Sequence, residues 1–308
     1  MTRELPGKRL FTDPEKYLAR VERALIRTRE NTLVLAFIND RERVWSWDKQ
    51  RGEPGADVRL PTYVTRSVDG GKSWQPPQKL HDDWSGAIRN MIQTDDGTLA
   101  FTTMKILRNP GRHGCLTYRS TDDGVTWQPS TLLDLGGHGH HDGALEPAVV
   151  QLRDQRIWML IRTTMGVFYE TYSSDGARHW EKPTPTTIDA STAPPMIIRL
   201  KSGRLMMAWN RRTLEGQSDH PLRGGDNQWS AQPASNQRQE LSIAFSDNEG
   251  STWSSPVVLV RAEKKDTSYP YLFEASPGEI WVTTMRQTVK VQLREADFLN
   301  LPHPTNGL

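Results

Sequence analysis

The sequence contains a single cysteine, Cys115, among 308 residues. One cysteine can neither form an internal disulfide nor supply the cysteine pair of a zinc site, so burial of apolar side chains must hold the fold together. No apolar run approaches the roughly 20 residues that a membrane helix requires, and residues 1–10 lack the apolar stretch of a secretion signal. We therefore expect a soluble, cytoplasmic protein, or a secreted one if a signal peptide has been removed.

The chain also has no large excess of charge of one sign, because its 39 Lys and Arg nearly balance its 37 Asp and Glu and leave a formal net charge of +2. No global field therefore selects nucleic acid or an acidic membrane as a partner. Helical periodicity is scarce as well. Aromatic residues are present in number, with 11 Trp, 7 Tyr and 7 Phe, which is too many for a disordered chain and indicates a globular one.

An eight-residue motif, Ser-x-Asp-x-Gly-x-x-Trp, occurs twice without a mismatch, at Ser67–Trp74 and Ser120–Trp127. Weaker copies at Ser173–Trp180 and Ser246–Trp253 have Ala at the glycine position and Asn at the aspartate position, respectively. The aspartate can accept hydrogen bonds from turn amides, the glycine supplies a positive φ, and the tryptophan can fold back as an apolar plug. The motif thus predicts a hairpin turn whose tryptophan lies between neighbouring units.

A second element, a turn followed by an alternating strand, recurs five times. The copies occupy residues 31–37, 96–101, 155–161, 203–208 and 278–282. Four-stranded antiparallel units that repeat about every 50 residues predict an all-β propeller. We expect one domain over residues 1–308, with five countable blades.

These motif copies are Asp-boxes, and the chain resembles the sialidase (neuraminidase) superfamily, whose Asp-box, or BNR, repeats build a β-propeller. The resemblance covers about residues 17–299. Six blades are usual in the family, so two alternatives remain open: a five-bladed variant, or a sixth blade made by the termini. Because propellers host many activities, the function must be argued from residues that the repeat does not require.

The resemblance implies three arginines that bind the sugar carboxylate in a bidentate way, a tyrosine nucleophile activated by glutamate, and an aspartic acid that protonates the leaving oxygen. A neutral tyrosine avoids the repulsion between that carboxylate and an anionic nucleophile. By this resemblance Tyr269 is the nucleophile, Glu146 activates it, and Arg162 and Arg238 belong to the arginine triad. The segment from Glu146 to Arg162 has the family's order of glutamate, strand, turn, strand and arginine.

The remaining site residues come from the start of the chain, again by resemblance. Arg23 is the expected first arginine of the triad, with Arg20 on the same predicted strand as the alternative. Asp57, shortly before the first Asp-box, is the expected general acid, and Asp48 is the reserve. Arg41 matches the arginine that borders this acid in the family.

Structural interpretations stand beside these assignments. Glu146 and Arg162 could pair across two strands for stability alone, and Tyr269 could be a core aromatic. The run His138-Gly-His140-His141-Asp142 offers metal ligands, but contiguous ligands in a glycine-rich loop suit a pocket rim better. We expect no metal and no cofactor, and we interpret the polar insertion at residues 211–239 as a lid or substrate loop.

The resulting hypothesis is a sialidase-like exo-glycoside hydrolase that removes a terminal acidic (carboxylated) sugar through a tyrosine nucleophile. Its partner would be an acidic sugar or oligosaccharide; the oligomeric state is not predicted. One alternative is a lyase acting on a uronate, with Tyr269 or a histidine of the 138–141 loop as the base. Another is a carbohydrate- or protein-binding propeller without catalytic activity.

Overall fold

The computed structural model describes residues 15–263, 265–286 and 288–302, with residues 20–22 described by their backbone alone. Helical structure in this part of the chain consists of two short 3-10 helices, Asp40–Glu42 and Glu295–Phe298. Neither of them is long or apolar enough to cross a membrane. The fold is therefore all-β, as the alternating segments predict.

The strands are short, and most of them follow one another as antiparallel neighbours. In chain order they are β1 (Ala19–Arg27), β2 (Leu33–Asn39), β3 (Trp47–Asp48), β4 (Glu53–Pro54), β5 (Thr62–Ser67), β6 (Gln78–His81), β7 (Met91–Gln93), β8 (Leu99–Leu107), β9 (Arg112–Ser120), β10 (Gln128–Pro129), β11 (Leu145–Gln151), β12 (Ile157–Arg162), β13 (Val167–Ser173), β14 (Thr184–Asp189), β15 (Met196–Arg199), β16 (Leu205–Trp209), β17 (Leu222–Gly224), β18 (Pro233–Ser235), β19 (Glu240–Ser246), β20 (Val257–Arg261), β21 (Pro270–Ser276), β22 (Glu279–Thr284) and β23 (Lys290–Arg294).

Five of the sheets are the blades of a propeller. Their strand orders are β1-β2-β5-β6, β7-β8-β9-β10, β11-β12-β13-β14, β15-β16-β19-β20 and β21-β22-β23. The fifth blade thus has three strands within the described residues. The five turn-and-strand elements found in the sequence supply β2, β8, β12, β16 and β22, the second strand of each blade. Of the two alternatives left by the sequence, the five-bladed one is correct.

The blades pack face to face, so their middle strands are buried on both sides. All six residues of β12 and all five of β16 are buried. Separate apolar clusters fill the four interfaces between consecutive blades, and Phe101, Met159, Trp209 and Phe245 lie in one cluster each. Burying one such side chain contributes about 1.5–3 kcal/mol, which is how the fold is held without a disulfide.

The Asp-boxes form the predicted turns. In the second copy the Asp122 carboxylate accepts hydrogen bonds from the Ser120 hydroxyl at 2.7 Å and the Thr126 amide at 2.9 Å. Gly124 has a φ of 83°. The motif tryptophan, Trp127, is buried between the first and second blades, and the copies at Trp180 and Trp253 fill the next two interfaces in the same way.

Two insertions extend from the blades. The hairpin β3–β4 interrupts blade 1, and the hairpin β17–β18 lies inside the 211–239 insertion of blade 4. The fully buried carboxylate of Glu240 anchors the second insertion, since it accepts hydrogen bonds from Arg211 at 3.0 Å and from Arg261 at 2.5 Å. The tips of the insertions meet, because Trp47 Nε1 donates to Gln228 Oε1 at 3.0 Å.

Candidate active site

A buried ion pair joins the first two strands of blade 3. Glu146 lies near the start of β11 and Arg162 at the end of β12. The strand register shifts between Leu145 and Ala148, and Glu146 has a left-handed φ of 38°. Its Oε2 lies 2.5 Å from Arg162 Nη1, and both side chains are buried. A backbone irregularity therefore turns the glutamate onto the arginine.

The phenol of Tyr269 reaches this pair from blade 5. Tyr269 directly precedes β21, and its φ of 59° is left-handed too. Its hydroxyl donates to Glu146 Oε1 at 2.8 Å and lies 3.5 Å from Arg162 Nη1. Blades 3 and 5 are not neighbours in the ring, so the contact crosses the central region. The three residues that the sequence placed together are in contact.

Two guanidinium groups lie over the Tyr269 ring. The Cζ atoms of Arg238 and Arg89 are 5.2 Å and 5.3 Å from the ring centroid. Arg238 is held by the Ser268 hydroxyl at 3.1 Å, and Arg89 by the carbonyl oxygen of Pro270 at 2.7 Å. Positive charge is thus concentrated around the phenol by side chains whose positions are fixed.

Arg89 was not found by sequence reasoning. It lies in Ile88-Arg89-Asn90, directly ahead of β7, the inner strand of blade 2. Tyr269 occupies the corresponding place ahead of β21, the inner strand of blade 5. Arg89 is 6% exposed, and a charged residue in front of an inner strand was the signal that could have revealed it.

A cavity of about 550 Å³ opens beside Tyr269, between β1 and blade 5. Its charged lining side chains, all cationic, are Arg23, Arg89 and Lys290. Tyr271 also lines it, and the other lining residues described are Leu25, Ile88, Thr283, Thr284 and Met285. Arg23 thus lines the cavity beside Tyr269, whereas the side chain of its alternative, Arg20, lies outside the described part. The cavity is suited to an anion.

The other predicted residues, Asp57, Asp48 and Arg41, are exposed. Asp57 is exposed in the turn before β5, and no contact described for it involves Glu146 or Tyr269. Asp48 is exposed as well, and its carboxylate accepts hydrogen bonds from the amides of the following turn. Arg41 is an exposed residue of the first 3-10 helix. No described contact joins the expected acid to the expected nucleophile, and the role of Asp57 stays a prediction.

The cations control ionisation in the site. Burial raises the pKa of Glu146, but the charge and hydrogen bond of Arg162, the Tyr269 hydroxyl and the charge of Arg89 outweigh it, so that this pKa lies below its usual range. Burial, aided by Arg162, lowers the pKa of His113 to about 4 and that of His141 to about 2. At neutral pH the site contains a carboxylate base and neutral imidazoles.

In the histidine loop, as elsewhere in the part of the chain that the structure describes, no group of three potential metal ligands converges. The carboxylate of Asp142 accepts hydrogen bonds from the His138 amide at 3.1 Å, the Thr164 hydroxyl at 2.7 Å and the Ala231 amide at 2.8 Å. This carboxylate therefore ties the loop to blade 3 and to the insertion of blade 4.

Residues 8–282 match a family model described as a BNR repeat-like domain. The chain belongs to this family. A search of curated protein sequences gives no significant match for this BNR propeller. The chain is therefore similar to known proteins in its repeat motif and in its fold.

Solved structures similar to the BNR propeller include glycosidases. A Penicillium chrysogenum α-L-arabinanase complexed with arabinobiose has a TM-score of 0.60 and 17% identity, over 96% of this chain and 84% of the arabinanase. A Hadza microbial sialidase has a TM-score of 0.58 and 16% identity, over 89% and 52% of the two chains. An α-L-arabinofuranosidase from Fusarium graminearum has a TM-score of 0.58 and 14% identity, over 88% and 77%.

These similarities show the fold of the protein but do not show its substrate. The chain spans about half the length of the sialidase, 52%. The sialidase is named for a different sugar from the arabinanase and the arabinofuranosidase, although all three proteins share the propeller fold. Because enzymes named for acidic sugars and for neutral sugars share this fold, the fold does not decide which kind of sugar is the substrate.

Proposed function

We propose that the protein is an exo-glycosidase that removes a terminal carboxylated sugar, with Tyr269 as nucleophile and Glu146 as its base. The observation that carries this proposal is the 2.8 Å hydrogen bond from the Tyr269 hydroxyl to Glu146 Oε1. A buried carboxylate held ionised by Arg162 is a competent acceptor for the phenol proton.

In the proposed first step, the Tyr269 oxygen forms a bond to the anomeric carbon while the bond to the leaving oxygen breaks. The phenol proton passes to Glu146, and the leaving oxygen takes a proton from water. In the second step water attacks the anomeric carbon and gives a proton to the hydroxide left by the first step, while the bond to Tyr269 breaks and the proton on Glu146 returns to the phenolate oxygen. Asp57 is left out of these steps because it lies on an exposed turn without contact to either residue.

The charge of the site favours an acidic substrate. Arg89 and Arg238 lie over the Tyr269 ring, and Arg23 and Lys290 line the adjoining cavity. Guanidinium groups bind carboxylates in a planar, bidentate way. A carboxylate bound here would hold the sugar next to the nucleophile, and a neutral nucleophile would not be repelled by it.

The proposal is tested with 4-methylumbelliferyl glycosides of N-acetylneuraminic acid, of glucuronic acid and of neutral arabinofuranose. We expect release from an acidic glycoside and none from the neutral one. Glu146→Gln and Tyr269→Phe should each lower kcat by about 10²- to 10⁴-fold, the contribution of a positioned base or its partner. Tyr172→Phe is the matched control, since its hydroxyl contacts Glu170 outside the site.

A fluorinated acidic glycosyl fluoride, which slows the second step, should leave a sugar covalently attached to Tyr269 and detectable by peptide mass spectrometry. Full activity of Tyr269→Phe would contradict the proposal. An unsaturated uronate product would instead favour the lyase alternative, in which Tyr269 removes a proton and forms no bond to the sugar.

A further inference from the structure

One face of blade 5 presents a straight row of polar side chains to the cavity beside Tyr269. Tyr271 of β21 pairs with Thr283 of β22, and Thr283 pairs with Lys290 of β23. Residues that pair directly in an antiparallel sheet have their side chains on the same face, and all three of these residues line the cavity. We refer to them as the donor row: Tyr271, Thr283 and Lys290.

The donor row leads away from the nucleophile. Tyr271 follows Tyr269 on the inner strand of the blade and is the inner end of the row. Neighbouring strands lie about 4.7–4.9 Å apart, so the backbone of Lys290 is about 10 Å from that of Tyr271. A group bound at Lys290 is therefore separated from a group bound over the Tyr269 ring, and both can belong to one ligand.

Each member of the donor row has a hydrogen-bond donor to offer a ligand. No hydrogen bond or ion pair of these three side chains exists with any other residue that the structure describes. Burial raises the pKa of Tyr271, and the charges of Arg89 and Arg23 only partly oppose this, so its hydroxyl is a neutral donor at neutral pH. The row thus combines a phenol, an alcohol and an ammonium group.

A buried cation near the inner end of the row is an independent sign of an anion site. Arg89 is only 6% exposed and lines the same cavity. Its Nη2 donates to the Pro270 carbonyl, but its buried Nε has no hydrogen-bond partner among the described residues. Burying a charge without an anionic partner is costly, and no Asp or Glu is among the described residues that line the cavity. The cavity therefore has more positive charge than its own side chains balance.

A single sugar carboxylate does not balance this charge. In the proposed function the carboxylate lies at Arg89 and Arg238, over the Tyr269 ring, and it leaves Lys290 at the outer end of the row without an anion. A planar guanidinium matches a planar carboxylate, whereas a lysine ammonium is a compact point charge that commonly binds phosphate. A lysine in one row with two hydroxyl groups is therefore suited to a tetrahedral oxyanion.

We propose that the donor row binds a phosphate or sulfate ester of the substrate, so that the substrate has a tetrahedral anionic group in addition to the carboxylate that binds beside Tyr269. The inference rests on the proposed function for the cleavage step, and on the donor row and Arg89 for the binding. It narrows the substrate from acidic sugars in general to acidic sugars that are also phosphorylated or sulfated.

Isothermal titration calorimetry with inorganic phosphate, inorganic sulfate and acetate, at constant ionic strength, tests the binding. Wild type and Tyr269→Phe should bind one of the tetrahedral ions more tightly than acetate, and the preferred ion identifies the ester. Lys290→Met and Thr283→Val should each weaken this binding by about tenfold, as expected for the loss of a hydrogen bond to a charged group. Lys182→Met, which removes an exposed lysine outside the cavity, is the control and should change nothing. Binding no tighter than that of acetate, or binding that persists in Lys290→Met, would overturn the proposal.

A kinetic experiment separates this inference from the proposed function. The substrates are the acidic 4-methylumbelliferyl glycoside that is cleaved, and its phosphate and sulfate monoesters at each free hydroxyl. In wild type and in Lys182→Met one ester should have a kcat/KM about tenfold above that of the parent glycoside, and in Lys290→Met this ratio should fall to about one. Cleavage of the parent without a gain from any ester would retain the hydrolase and reject the donor row. Ion binding that depends on Lys290, in a protein that cleaves no glycoside, would retain the donor row and reject the hydrolase.

Discussion

At the scale of single residues, Arg162 decides the charge of Glu146. Burial alone would favour the neutral acid, and the arginine reverses this preference. The lowered pKa has a defined consequence for pH. The stabilisation from the ion pair is fully present above the ordinary glutamate pKa, and it is lost as the pH falls through the lower pKa of the folded state.

We therefore expect the acid limb of kcat/KM to lie below the usual glutamate range, which is near pH 4.3. Arg162→Met leaves burial unopposed by the nearest cation and should move this limb upward by at least about one pH unit. Arg162→Lys keeps a cation and should move it less. The measurement is a pH profile of kcat/KM for all three proteins.

Breaking a buried pair costs about 3–5 kcal/mol, so thermal unfolding of both variants must be recorded beside the profiles. A lowered Tm with an unmoved acid limb would mean that Arg162 is structural and that another group sets the protonation of Glu146.

At the scale of the elements, the Asp-box turns offer an internal comparison. Gly124 has a φ of 83°, and a Cβ there would lie 3.1 Å from Val34. The equivalent residue of the third box is Ala177, which has a φ of 63° and is buried. The turn of the second box has glycine, which adopts the left-handed conformation without strain. The turn of the third box has alanine, whose methyl group is buried but whose backbone is strained.

Reciprocal substitutions should therefore have unequal effects. Gly124→Ala should lower the free energy of unfolding by about 1–2 kcal/mol, the cost of a left-handed alanine. Ala177→Gly relieves that strain but loses about 0.8 kcal/mol of methyl burial, so the net change should stay within about 1 kcal/mol. Urea unfolding followed by tryptophan fluorescence gives both values. Equal losses at the two positions would contradict this account of the turns.

The elements also show what sequence could and could not provide. The Asp-boxes and the five second strands carry local signals, so the architecture could be predicted from them. Glu146, Arg162, Arg238 and Tyr269 could be named because the segments around them resemble the corresponding segments of the sialidase superfamily. Arg89 belongs to no repeated motif. The contact between the tips of the two insertions joins Trp47 to Gln228, 181 residues further along the chain, and loop sequence does not predict which loop tips meet.

At the scale of the whole molecule, the site collects residues from all five blades. Arg23 comes from blade 1, Arg89 from blade 2, Glu146 from blade 3, Arg238 from blade 4 and Tyr269 from blade 5. The protein has a net charge of only +2, so the attraction for an anion is local to the central pocket. The surface as a whole does not supply it.

Added salt should therefore weaken the binding of an acidic substrate. Raising ionic strength from 0.05 M to 0.5 M shortens the Debye length to a few ångströms, and we expect KM for an acidic glycoside to rise several-fold. Because the buried Glu146–Arg162 pair is screened much less, kcat should change by less than about twofold. Steady-state kinetics at four salt concentrations tests this. A fall in kcat with constant KM would place the salt-sensitive step in the chemistry.

Both proposed reacting residues have left-handed backbone conformations, at Glu146 and Tyr269. Such conformations cost about 1–3 kcal/mol each, and glycine would adopt them freely. At position 146 this relief is smaller than the cost of leaving Arg162 buried without its carboxylate, about 3–5 kcal/mol, so a library selected for thermal stability alone should keep glutamate there and accumulate glycine at position 269. Its most stable members would have lost the phenol, so selection for durability and selection for turnover should pull this protein in opposite directions.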